Sequence, residues 1–298
     1  MNYHQLGNST LQISEIGFGC MSLAGNDDAN AKILHRAIDL GINFFDTADL
    51  YNKGMNEISV GKALKAKRNE IVLATKVGNQ WRTDGSGWDW NPRKDYILQS
   101  VNDSLKRLQT DCIDLYQLHG GTIDDPIDET ISAFELLKEQ GKIRHYGISS
   151  IRPNVIREYI NRSSIVSVMM QYSLLDRRPE ETFLDLLKEN NIGVLVRGSI
   201  AQGLLVDKPA KEYLQYSMQE VSNANEAIRT VSGSQRSFTQ SAIRYVLNHP
   251  AVLSAVVGIR TIEQLEEAVK TATTPGLSTH EIVALQNSNK ANRYDQHR

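Results

Sequence analysis

Short apolar runs alternate along the chain with stretches in which apolar residues recur every three or four positions. Runs of four to eight residues, rich in Val, Ile and Leu and poor in charge, read as strands buried on both faces. The three-to-four spacing reads as helices with a single apolar stripe. The opening, YHQLGNSTLQIS, predicts two short strands turning at Gly7-Asn8-Ser9, a hairpin within residues 1–14. From ISEIGFG onward the order is strand then helix. Later strands are INFFD, EIVLATK, CIDLYQLH, KIRHYGIS, SIVSVMMQ, IGVLV and AVLSAVVG. The intervening helices are ANAKILHRAIDLG, stopping at Gly41; NEISVGKALK; PRKDYILQSVNDSLKRL, with Pro92 near the first turn; and IDETISAFELLKEQG, stopping at Gly141. NVIREYI begins just after Pro153, PEETFLDLLKENN follows, FTQSAIRYVLNHP ends at Pro250, and TIEQLEEAVK closes the series. Proline at a helix start and glycine past its end suit the unpaired backbone groups there.

Eight strand–helix units over this length predict one α/β domain spanning residues 1–298, a closed (β/α)8 TIM barrel preceded by an N-terminal β-hairpin. A doubly wound open sheet is the alternative. No break in composition marks a second domain. Two connections are long: residues 77–91, which hold all three tryptophans, and residues 204–235, whose middle has a helical pattern. Both follow strands, so both belong to the C-terminal face, where barrel enzymes carry their sites.

Composition narrows the partners. A net charge of -2 implies no polyanion, hence no nucleic acid. Cys20 and Cys112 form neither a disulfide framework nor a zinc pattern, and no metal site is expected. The N-terminus is too polar for a signal peptide, and no stretch approaches the ~18 apolar residues of a membrane span. A cytoplasmic protein with no membrane partner is expected. The pattern specifies no oligomeric state.

Chemistry collects at strand ends. Asp46 ends the second predicted strand, with Tyr51 just beyond it; Lys76 ends the third, His119 the fourth, Ser149 and Ser150 the fifth, Gln171 the sixth. Singly, each has a plain reading: Asp as a helix cap, Lys as a solvated charge, His as a packed side chain. Together they converge on one barrel mouth.

The segments carrying them resemble the aldo-keto reductase family. GINFFDTADLYNKGMNEISVGKAL is similar to its signature around the catalytic Asp and Tyr, EIVLATKV to the lysine segment, and DCIDLYQLHG to the histidine segment. GKIRHYGISS, QYSLLDR, GSIAQGLL and VVGIRTIEQLEEA resemble its later cofactor-binding segments, in order. The resemblance implies reduction of aldehydes or ketones by hydride from NADPH, with Tyr51 as general acid beside Lys76, Asp46 and His119. Negative charge develops on the carbonyl oxygen, which needs a proton donor and positive electrostatics. An ammonium beside the phenol stabilises the phenolate left after donation. Asp46 would hold Lys76, and His119 would orient the carbonyl oxygen or assist proton transfer.

The resemblance also implies the cofactor residues. Gly19, Cys20 and Met21 would line the nicotinamide site, and Ser149, Ser150 and Gln171 would meet its carboxamide. Arg197, Gly198, Ser199 and Gly203 belong to the next segment. Gly258, Arg260, Gln264 and Glu267 would face the adenosine half, with Arg260 reading the 2′-phosphate, as suits a permanently charged guanidinium. The lone Gly17-Phe18-Gly19 has no Rossmann spacing, which the family does without. Three positions depart from the usual pattern: Ser150 stands for Asn, Arg197 for an aromatic ring, and Ala268 for Asn. A planar guanidinium can itself stack on a ring. Cys20 reads as inert packing. Trp81, Trp88 and Trp90 either contact an apolar or aromatic part of the carbonyl substrate or pack on the barrel rim; the cost of exposing three of them on a loop favours substrate contact. Two other functions stay open. Lys76 could form a Schiff base, as in aldolases. The chain could also be an NADPH-binding regulatory subunit or sensor with little turnover, as are barrel relatives that serve potassium channels.

Overall fold

A computed structural model describes residues 1–298. Eight parallel strands close into a barrel in the order β10-β11-β12-β3-β4-β5-β8-β9. They are β3 (Ile16–Gly19), β4 (Phe44–Asp46), β5 (Val72–Val77), β8 (Ile113–Leu118), β9 (Ile143–Ser149), β10 (Ser167–Gln171), β11 (Gly193–Arg197) and β12 (Val252–Gly258). Every residue of β5 and β8 is buried, as expected of strands covered on both faces. The ring is completed by the first and last barrel strands, with Ile16 opposite Ala255 and Gly19 opposite Gly258.

The predicted N-terminal hairpin is present as β1 (Tyr3–Gln5) and β2 (Gln12–Ser14). Gly7 turns it with φ +52°, and a Cβ there would collide with the Val166 carbonyl. Leu6, Leu11 and Ile13 pack into one cluster with Phe44, Val72, Ala74, Leu115, Met169 and Leu195, so the hairpin plugs the barrel interior from the N-terminal end. A second cluster of 63 buried residues fills the space between barrel and helices. Side chains alternate along a strand. Going two residues on from Phe44, Ala74, Leu115, Met169 and Leu195 therefore brings Asp46, Lys76, Gln117, Gln171 and Arg197 to the interior above the plug.

Helices α1 (Asp27–Asp39), α2 (Met55–Leu64), α3 (Lys94–Leu108), α4 (Ile127–Glu139), α5 (Pro153–Arg162), α6 (Phe183–Glu189), α8 (Phe238–Leu247) and α9 (Ile262–Lys270) surround the barrel. α1 is capped by the Asn26 side chain and followed by Gly41 at φ +90°. α5 starts with Pro153 in its first turn, whereas Pro92 lies just before the cap residue of α3, outside the helix. α7 (Met218–Ser232) bears out the helical pattern inside residues 204–235 and carries a Ser217–Glu220 capping box.

Three elements differ from the sequence reading. Residues 77–91 do not form an irregular loop: β6 (Asn79–Trp81) and β7 (Trp88–Trp90) pair antiparallel, with Trp81 opposite Trp88. The turn carries Asp84-Gly85, with Gly85 at φ +71°, a hairpin signal between two aromatic runs. PEETFLDLLKENN is not one helix. Arg178–Glu181 form a 3-10 turn, and Thr182 at φ -160° separates it from α6, while Arg177, Glu180, Arg178 and Asp176 are drawn into ion pairs. α10 (Thr279–Gln286) was missed despite its Ser278–Glu281 capping box. No helix is long and apolar enough to cross a membrane.

Candidate active site

The mouth of the barrel holds a buried ammonium with no donor to spare. Lys76 Nζ donates to Asp46 Oδ2 at 2.6 Å, to the Thr47 carbonyl at 2.7 Å and to the Tyr51 hydroxyl at 3.2 Å. Three hydrogens meet three acceptors, and the side chain is 1% exposed. Burial opposes its charge, but the Asp46 carboxylate and Tyr51 outweigh this, so the lysine pKa is raised and Lys76 is an ammonium. A Schiff base needs a free amine lone pair, so this arrangement argues against the aldolase reading.

Local backbone places the tyrosine. After Tyr51 the chain turns left-handed through Asn52 (φ 48°), Lys53 (φ 52°) and Gly54 (φ 83°) before α2 begins. Two of these are not glycine, so the turn is held by its surroundings. Lys53 Nζ lies 5.1 Å from the centre of the Trp81 ring, tying the turn to the hairpin. Asn56 accepts from Thr47 Oγ1 at 2.6 Å and donates to the Cys20 carbonyl at 2.9 Å. Fully buried Glu57 accepts from Thr75 Oγ1 and from Arg107 Nε, each at 2.6 Å. Asn56 and Glu57 lie inside the signature segment, yet sequence reasoning gave them no role; their spacing from Asp46 becomes meaningful only once α2 folds back against the strand ends.

His119 faces Tyr51 edge-on, with ring centroids 5.8 Å apart. Burial pushes its pKa down to about 3, with the Lys76 and Arg197 charges adding to the shift, so the ring is neutral at physiological pH. Its Nδ1 is buried without a partner. Gln117, also missed in the sequence reading, donates from Nε2 to Asp46 Oδ1 at 3.1 Å. The signal was present: it is an amide in an apolar strand, two residues before His119 and therefore on the same face.

Around this centre the predicted cofactor positions divide. Ser149 and Ser199 are buried at the mouth. Ser150 Oγ accepts from the Arg152 N–H. Gln171 is engaged at both ends, accepting from Arg197 at 2.9 Å and donating to Tyr213 at 3.1 Å. Gly198 and Gly203 have φ of +77° and +92°. Arg197, Met21, Gly258, Arg260 and Gln264 are exposed. No ion pair forms at Arg260, while its N–H donates to Gln264. Glu267 already bonds Ser237 and Gln240. The Cys20 thiol is fully buried and its pKa pushed well up by burial, so it packs inward as inert filling and only its backbone could face a ligand. Among the tryptophans, Trp90 donates to Asp125 at 2.9 Å and packs on Gly78 and Gly120, a structural position; Trp81 is half-buried under Lys53, and Trp88 is exposed.

Asp49 was unremarked in the sequence. It is buried, with Oδ1 unpartnered, and its pKa is pushed up to about 8 by burial and by Glu57, against the pull of Arg107 and Lys76. The folded chain therefore keeps a proton that the unfolded chain releases near pH 4, and stability from this group is lost as pH rises from about 4 through 8. Asp49→Asn should gain stability over the parent across that window, by on the order of a few kcal/mol at pH 8. Urea melts at both ends of the window measure the gain, and an equal difference at both would refute it.

Comparison with known proteins identifies the family. The family model described as "Aldo/keto reductase family" matches residues 15–290. The chain is 52% identical to "Uncharacterized oxidoreductase YqkF" of Bacillus subtilis (strain 168), covering 100% of both chains. It is 34% identical to the "NADH-specific methylglyoxal reductase" of Escherichia coli (strain K12) over 70% of each. Its fold matches the holo form of "aldo-keto reductase AKR11C1 from Bacillus halodurans" with TM-score 0.94 and 51% identity, covering 100% of this chain and 99% of that one. With the family model matching residues 15–290 and a 52% identical relative spanning its whole length, the chain belongs to the aldo/keto reductase family, an oxidoreductase family.

Proposed function

We propose that the protein reduces aldehydes and ketones to alcohols with NADPH, and that Tyr51 is the proton donor. The observation that carries this reading is the Lys76 ammonium, locked onto Asp46 and Thr47 and turned to the Tyr51 hydroxyl. When bound, the reduced nicotinamide supplies hydride to the carbonyl carbon. The chain's own residues handle the oxygen. Tyr51 gives its proton to the developing alkoxide, and Lys76 stabilises the phenolate that remains. His119 is neutral and has one ring N–H, so it serves as hydrogen-bond donor and orients the carbonyl oxygen.

The mouth fits a dinucleotide phosphate on chemical grounds. Arg197 presents an exposed guanidinium beside Gln171, able to stack on a flat ring, with the buried Ser149 hydroxyl nearby in the barrel order. Exposed Arg260, at the start of α9, suits the 2′-phosphate. Arg260→Ala should weaken NADPH binding roughly 10- to 100-fold, as expected for a lost bond between charged groups, and leave NADH nearly unchanged. Equal losses for the two coenzymes would remove the assignment. A carbonyl with an apolar or aromatic portion is favoured as substrate, because exposed Met21, Trp88, Ile123, Leu214 and Met218 all sit in connections of the C-terminal face. Titration with NADPH and NADH, followed by carbonyl-dependent oxidation over an aldehyde panel, tests the proposal. Tight binding without turnover on any carbonyl would replace it with the sensor reading.

A further inference from the structure

On its inward face β8 carries Leu115, then Gln117, and His119 follows just past its end. Leu115 belongs to the apolar plug, whereas Gln117 is a fully buried amide directly above it. Only an amide nitrogen can face a carboxylate, so the bond to Asp46 Oδ1 fixes the orientation of the side chain. The other end pays for this: Gln117 Oε1 is buried without a partner. An apolar residue would fill the same space without an unpaired acceptor, so packing alone does not account for glutamine here.

We infer that Gln117 is a positioning residue, which by donating to Asp46 Oδ1 holds that carboxylate ionised and aimed at Lys76. The two oxygens of Asp46 divide the work: Oδ2 takes the ammonium at 2.6 Å and Oδ1 takes the amide at 3.1 Å. Burial pushes the Asp46 carboxyl up, and Lys76, then Gln117, then the more distant Arg197 charge pull it back. Without the amide, the balance moves toward a neutral acid. A neutral Asp46 leaves the Lys76 charge buried without its counter-ion, and the cation that Tyr51 needs is weakened.

Of the other charged or titratable groups around Asp46, Arg197 alone adds a charge that acts on it. His119, on the same strand, is neutral, and the Cys20 thiol from the turn after β3 stays protonated. Arg197 from β11 is permanently charged. Tyr51 follows β4, and Asp49, beside it, feels the same lysine.

The test compares Gln117→Met and Gln117→Glu with the parent. Difference infrared spectroscopy detects a protonated buried carboxyl, assigned to Asp46 if adding Asp46→Asn removes it. Buried Asp49, protonated up to about pH 8, gives a band in both chains; the parent should lack the Asp46→Asn-sensitive band at neutral pH, and Gln117→Met should show it. Its kcat should fall roughly tenfold or more, as for a lost hydrogen bond to a charged group, with NADPH affinity retained. A protonated glutamic acid can donate to Asp46, whereas an ionised one repels it. Gln117→Glu should therefore work near the parent rate at low pH and fall more steeply than the parent as pH rises. Absence of the Asp46→Asn-sensitive band in Gln117→Met, or a parent-like pH profile in Gln117→Glu, would overturn the inference. The kinetic arm rests on the proposed reduction; the infrared arm does not. A parent that turns over no carbonyl would thus sink the reductase reading while the spectrum still decides Gln117, and Gln117→Glu decides it if Gln117→Met fails to fold.

Discussion

Tyr51→Phe is expected to lower kcat for carbonyl reduction about a hundred- to ten-thousand-fold while leaving NADPH affinity intact. The substitution removes one oxygen. That oxygen is the third acceptor of Lys76, at 3.2 Å, and the only phenol beside it at the mouth. The ring should keep its place, because its edge-on packing against His119 does not involve the hydroxyl. Lys76 retains Asp46 and the Thr47 carbonyl, so the ion pair survives the change. Water can replace the proton donor but not its placement, which leaves the residual rate. Parallel measurement of NADPH affinity and single-turnover reduction separates lost chemistry from lost binding. Unchanged turnover would remove Tyr51 as the acid.

Lys76→Met should be costly for stability as well as for turnover. It removes one member of a buried pair and leaves the Asp46 carboxylate without its cation, a loss of about 3–5 kcal/mol when the survivor stays charged. Asp46 can escape part of this by taking up a proton, since burial already pushes its carboxyl upward. In the variant its folded pKa lies above that of the unfolded chain, so the stability it contributes is full at acid pH and lost as pH rises. The destabilisation should therefore be small under acid conditions and largest at neutral pH and above. Adding Asp46→Asn should recover much of it by leaving two neutral side chains. Denaturant melts across pH measure all three chains. A cost that does not depend on pH, or a double variant no better than the single one, would contradict the buried ion pair.

The sequence and the structure agree best where chemistry is tied to strand ends. Asp46, Lys76 and His119 were legible because a strand's alternation, counted from its apolar run, fixes which face each residue takes. The N-terminal hairpin was legible because Gly7 supplies the turn; that it plugs the barrel interior is a tertiary fact. The tryptophans were harder. Their strands are short, and whether Trp90 meets substrate or Asp125 depends on a loop after β8 that no local pattern connects to it. The engagement of Gln171 was hidden for a similar reason: Tyr213 lies in the long connection after β11, and its return to the mouth is a tertiary fact. Gln117 was visible but unread, because an amide in an apolar strand gains meaning only from the carboxylate opposite. The split before α6 follows from ion pairs that helical periodicity does not report.

The pairing of the first barrel strand with the last has a consequence for how the protein is made. β3 must wait for β12, some 240 residues later in the chain, before its outer edge finds a partner. Until then a nascent chain carries two open strand edges, those of β3 and β11, each able to pair with a neighbour's. Contacts so far apart in sequence also make closure slow. Synthesis should therefore pass through a long window in which most of the barrel exists but is not sealed. Chains ending shortly before residue 252 should aggregate rather than accumulate as smaller barrels.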